Sequence, residues 1–190
     1  MSVIQRLRST IIRPANATAY TAGDEISNSA TAGSVVRMTF NLAGFSQARL
    51  ISAEIDVTAA SGDVVTTALS LEAAIFRTSE VPAAVGDNVT HPLSAVNRAV
   101  SVGDFKFDAA GWTGPLGTVA AGTSQFQAVS ASYVQPTATP VLWFPHPGGY
   151  CFSMAGQNTP TLTAIIRALA AWTPTGIANT IGLTLNIEAC

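Results

Sequence analysis

Three carboxylates, Glu54, Asp56 and Glu72, stand at outward positions of alternating segments, where two acids on one sheet face could act as acid and base in glycoside hydrolysis. The plainer account is that alternating polar residues are what a solvent-facing strand carries, and it is the one adopted here. His91 and His146 lie in separate proline-containing loops, and His146 with Cys151 offers two ligands where a structural zinc takes four. No Gly-x-Ser-x-Gly elbow, cysteine-protease surround or phosphate-binding glycine loop is present. One lysine, Lys106, and a formal net charge of -2 leave no electrostatic footprint for nucleic acid. The expectation is a non-enzyme with no catalytic residue, no metal, no cofactor and no nucleic-acid partner. Cys151 and Cys190 permit one disulfide at most, and two free thiols are expected.

The elements that must position these residues are strands. In Ala48 to Thr58, Ile51, Ala53, Ile55 and Val57 point one way, and Ser52, Glu54, Asp56 and Thr58 the other. Thr67 to Arg77 repeats the pattern, with Leu69, Leu71, Ala73 and Ile75 inward and Ser70 and Glu72 outward. Ser61-Gly62-Asp63 between them predicts an antiparallel hairpin. Ile181 to Ile187 forms a last strand with Ile181, Leu183, Leu185 and Ile187 on one face; its predicted partner is Leu162 to Trp172, across Pro174-Thr175-Gly176. Further strands are predicted at Val35–Phe40, Ala99–Phe107, Ser124–Tyr133 and Val141–Phe144. Many strands with dense Gly and Pro punctuation indicate an all-β protein, an antiparallel, jelly-roll-like β-sandwich.

Charge is scarce: 11% of residues are Asp, Glu, Lys or Arg, against about 25% in ordinary soluble domains. A surface of Ser, Thr, Ala, Asn and Gln suits packing against other chains, so the chain reads as an assembly protein. No apolar run approaches the ~20 residues of a membrane helix, so no membrane partner is expected. The start lacks the apolar core of a secretory signal. Residues 1–13 hold Arg6, Arg8 and Arg13 and no acid, leaving six basic residues against 11 acids in the rest. Residues 1–19, interrupted by Pro14, are expected as an extended N-terminal arm on a single domain at 20–190, with the three arginines contacting an acidic neighbour. Ala109 to Gly122 is expected as a long loop carrying Trp112 as a contact anchor.

Several motifs in order resemble a known family. They are the Arg13-Pro14 and Tyr20-Thr21-Ala22-Gly23-Asp24 of the opening, Met38-Thr39-Phe40-Asn41, Asp87-Asn88, Pro92-Leu93, Asn97-Arg98-Ala99, Val102-Gly103-Asp104-Phe105, and Leu169-Ala170-Ala171-Trp172-Thr173-Pro174 before the final strand. From about residue 10 to the end this looks like a family of small structural proteins of tailed bacteriophages. The resemblance implies a virion component, a capsid decoration (cement) protein bound outside the head. Its partners would be the major capsid protein and itself, as a homotrimer, after synthesis in the host cytoplasm. The alternative is another virion part, a head-fibre, tail or host-receptor-binding module, with Trp112, Trp143 and Tyr150 as sugar-stacking platforms. A polysaccharide hydrolase using Glu54 or Glu72 is the third reading.

Overall fold

The structure is a computed structural model that describes residues 4–58, 64–65, 69–112, 117–118, 124–130, 151–154, 160–174, 176 and 178–190. Its strands are β1 (Ile4–Ile12), β2 (Asp24–Ile26), β3 (Met38–Asn41), β4 (Gln47–Thr58), β5 (Val64–Val65), β6 (Leu71–Arg77), β7 (Val89–Thr90), β8 (Ser101–Phe107), β9 (Gly117–Thr118), β10 (Ser124–Ser130), β11 (Cys151–Ser153), β12 (Thr161–Ala168) and β13 (Thr180–Ala189). One short helix, α1 (Ala95–Ala99), precedes β8, with the Ser94 hydroxyl accepting the Asn97 N–H at its N-terminus.

Two antiparallel sheets pack face to face as a jelly-roll-like sandwich. The first runs β1-β13-β4-β10, with β11 pairing the start of β4 on the side β10 occupies further along. The second runs β7-β2-β12-β6-β8, with β3 pairing the first half of β12. β5 and β9 form a separate two-stranded pair. Between the sheets Ile55 and Val57 of β4 and Ile181, Leu183, Leu185 and Ile187 of β13 meet Phe40, Phe105, Phe107, Leu71, Ala73 and Ile75, all essentially inaccessible. Burying each large side chain contributes about 1.5–3 kcal/mol, which is what holds the layers together.

The sequence phase holds through most of β4 and fails at one point. Register shifts between Asn186 and Ile187, which pair Ser52 and Leu50 respectively, so Ile51 is an extra residue in a β-bulge. Leu50 therefore enters the core, and Ile51, expected inward, is half-buried.

Strand neighbours also differ from expectation. β4 and β6 lie in opposite sheets and form no hairpin, and β12 and β13 likewise separate, β13 running between β1 and β4. Period-two alternation tells which face is buried but not which strand lies beside it, and successive strands of a sandwich often cross from sheet to sheet. The expected N-terminal arm is different too. Residues 4–12 are β1, paired residue for residue with β13 from Ile4↔Glu188 to Ile12↔Thr180, because Leu7 and Ile11 give this segment a face that packs on the core.

Cys151 and Cys190 are joined by a disulfide rather than free. β11 and β13 flank β4 on opposite sides, so the bond ties the chain after β13 back across the start of β4. Closing a separation of 39 residues stabilises by about 2–4 kcal/mol. The expected strand Val141–Phe144, with Trp143, His146 and Tyr150, lies outside the described residues, as does most of the loop after Trp112.

Candidate functional site

Chemistry-bearing residues gather on the two outer faces of the sandwich. On the first sheet Arg6 and Arg8 of β1 point outward and reach across β13 to acids of β4. Arg6 Nη2 lies 2.5 Å from Glu54 Oε2, and Arg8 Nη2 lies 2.8 Å from Asp56 Oδ2. Arg49 of β4 makes a third pair with Glu188 of β13. The Arg8–Asp56 pair passes directly over Gly182, where a Cβ would stand 2.5 Å from Arg8 Nη2, so a side chain there would displace the pair. Glu54 and Asp56 are outward and accessible, as the alternation predicts, but each faces a cation.

The second sheet differs. Part of its outer face is covered by the stretches that flank β7 between β6 and β8, whose Val81 and Leu93 pack on Ala74, Phe76 and Ile165. Register places Glu25 of β2, Arg167 of β12 and Glu72 of β6 side by side under this cover, with Lys106 of β8 next in the row and exposed. Arg167 Nε donates to Glu72 Oε2 at 2.9 Å, its Nη2 makes a second, short contact with the same oxygen, and its Nη1 donates to the His91 carbonyl at 2.9 Å. Arg98, delivered by α1, donates to Glu72 Oε1 at 3.0 Å and Asp104 Oδ2 at 2.9 Å. Arg37 grips both oxygens of Glu25 at 2.9 and 3.0 Å and also donates to the carbonyls of Pro82 and Ala83. Glu72, assigned to a solvent face from the sequence, is completely buried and belongs to a different sheet from Glu54 and Asp56.

Three acids and three arginines thus neutralise one another, with Arg98 alone of the six partly exposed. Burial works against the Glu72 carboxylate, but hydrogen bonds from Arg167 and Arg98 outweigh it and hold its pKa below the ordinary range. Asp104 is pushed up, by burial first and then by the Glu72 charge, against the pull of Arg98. His91 sits within the cover with Nε2 3.1 Å from the Ala83 carbonyl, so that nitrogen carries the proton, and Nδ1 has no partner. Burial lowers its pKa, the Glu25 charge 3.7 Å away opposes, and Arg37 and Arg167 add to the lowering. A carboxylate held ionised and sealed from solvent can neither reach a substrate nor donate a proton, so Glu72 serves the fold. Among the described residues no group of His, Cys, Asp or Glu is arranged to hold a metal ion.

No family model matches the sequence, and no curated protein matches it. Among solved structures, a decameric BFDV capsid protein is 14% identical, with 99% of this chain and 98% of that one covered and a TM-score of 0.31. A Triatoma virus structure is 10% identical over 100% of this chain and 66% of that chain, TM-score 0.34, and sacbrood virus of honeybee 9% over 98% and 71%, TM-score 0.31. At TM-scores this low the likenesses carry no functional weight.

Of the four residues singled out as partner contacts, the structure brings Arg6 and Arg8 together on the exposed ladder. Arg13 is fully buried, bonded to Asn16 and Asn179 and seated 5.5 Å over the Trp172 ring, which stacks in turn on Tyr20. Trp112 packs against the core and donates its indole N–H to the Leu69 carbonyl at 2.6 Å, so both side chains are taken up within their own chain. The buried network escaped sequence reasoning, although a signal was present. Glu72 and Arg167 are lone charges inside apolar strands, and a charge buried there must find a partner. No described helix is long and apolar enough to cross a membrane.

Proposed function

We propose that this chain is a viral structural protein and, within that class, a capsid decoration protein that binds the outside of a tailed-phage head and bridges capsomers. The observation that carries the reading is the disposition of charge: Arg6, Arg8, Arg37, Arg49, Arg77, Arg98 and Arg167 are each ion-paired with a carboxylate of the same chain. A surface whose arginines are already matched, and which is otherwise rich in Ser, Thr, Ala, Asn and Gln, docks against neighbours with little water to strip from unpaired ions. The rigid disulfide-tied sandwich suits a protein whose work is mechanical, stabilising an assembled lattice by binding it. Arg6 and Arg8, exposed on the first sheet, are the residues proposed to meet the major capsid protein, and self-association as a homotrimer follows from the motif resemblance. A chain made in the host cytoplasm would carry Cys151 and Cys190 as thiols and close the bridge after release into oxidising surroundings.

The test is a cryo-electron reconstruction of the particle that carries the protein. Density on the outer shell at local symmetry axes, with β1 against the major capsid protein, is the expected result. Density confined to a tail or fibre would overturn the decoration role in favour of adsorption, and absence from the particle would overturn the virion reading.

A further inference from the structure

β1 ends the first sheet, and among the described residues no strand pairs its outer edge along the nine residues Ile4–Ile12. Natural sheets blunt such edges with proline, bulges or outward charge. β1 has no proline or bulge, and its two charges are bound over β13 by Glu54 and Asp56. Along its outward face the order is Ile4, Arg6, Arg8, Thr10, Ile12, and the two isoleucines are 58% and 60% exposed.

We propose that this edge docks on the same edge of a second copy of the chain, antiparallel, with the two-fold axis at Arg8. Residues opposite one another in a ladder must lie on the same face, so the register can move only in steps that keep even residues against even ones. Of these registers, the one centred on Arg8 pairs all nine residues. It sets Ile4 against Ile12 of the second copy at both ends and Arg6 against Thr10. Centring on Leu7 or Ser9 would instead set Arg6 or Thr10 against Arg8 and leave an isoleucine facing a polar residue. The one like-charge meeting, Arg8 against its own copy, is between guanidinium groups already neutralised by Asp56 at 2.8 Å. The contact is about 30 Å long and small for a stable dimer, so it forms with rising concentration or on a lattice that multiplies it. It uses the backbone edge of β1, whereas the proposed capsid contact uses the outward side chains of Arg6 and Arg8, and it is compatible with a trimer built through another surface.

Engineered single thiols test the register, because both native cysteines are bridged. Under mild oxidation Arg8→Cys should give a covalent dimer whose bond mass spectrometry assigns to the engineered position, while Thr10→Cys, offset from its own copy by about 13 Å, should give at least tenfold less. Adding Ile4→Lys and Ile12→Lys to Arg8→Cys should abolish cross-linking with the thermal midpoint unchanged. Equal cross-linking at both positions, none at any concentration, or cross-linking that survives the two lysines would overturn the proposal.

Discussion

Both outer faces of the sandwich set arginine against carboxylate from different elements, yet they place the pairs on opposite sides of the solvent boundary. On the first sheet Arg6 and Arg8 keep 65% and 52% of their side-chain surface in water, whereas Arg167 keeps 10% and its partner Glu72 none. The ladder sits in high dielectric and adds little to stability. The covered network has left water behind, so each member depends on its partners being present. The same residue types thus serve as a wet surface in one place and as an interdependent framework in the other. What separates them is the cover over part of the second sheet from the stretches that flank β7 between β6 and β8, which also deliver Arg98.

The widest separation between the faces is expected from Glu72→Ala, which leaves Arg167 buried without its carboxylate and Arg98 with Asp104 alone. Urea unfolding should show a loss of about 3–5 kcal/mol; a loss below about 1 kcal/mol would place the two faces in one class.

Acidification should act on the covered side. The His91 pKa is lowered by burial, so the unfolded chain takes up a proton first and stability falls as pH drops below about 6.5. Glu72, with its pKa depressed, adds a further loss below about pH 4.5, while Asp104, with its pKa raised, opposes the trend by protonating early in the folded state. The thermal midpoint should fall by a few degrees between pH 7 and pH 5, and His91→Gln, which keeps a donor for the Ala83 carbonyl, should flatten that decline. An unchanged slope would mean that His91 is not the group responsible.

The smallest effect belongs to the ladder: Glu54→Ala should cost less than about 1 kcal/mol, and that cost should shrink further in high salt. A salt-insensitive loss as large as that of Glu72→Ala would erase the contrast.

Much of the core was legible beforehand. Ile181, Leu183, Leu185 and Ile187 are buried as their spacing requires, as are Leu69, Leu71, Ala73 and Ile75. Alternation reads locally and succeeds wherever a strand has one wet face. It fails at Ile51, the extra residue of the bulge in β4, and in β6 and β12, where a covering segment buries the second face as well. Gly182 was legible only as a gap in the outward row of β13; its reason, two side chains from strands on either side, appears once all three are adjacent.

From the amino-acid order alone come the β-rich class, the inward faces of the long strands, the scarcity of charge and the lack of any catalytic motif, because these depend on neighbours one or two residues away. The tertiary structure decided which strands share a sheet, that residues 4–12 form the edge of the first sheet, that Cys151 meets Cys190, and that Glu72 is sealed with arginines while Glu54 stays wet. Those outcomes join residues dozens of positions apart, and a sandwich satisfies the same hydrophobic pattern with many pairings until turns, bulges and covering segments select one.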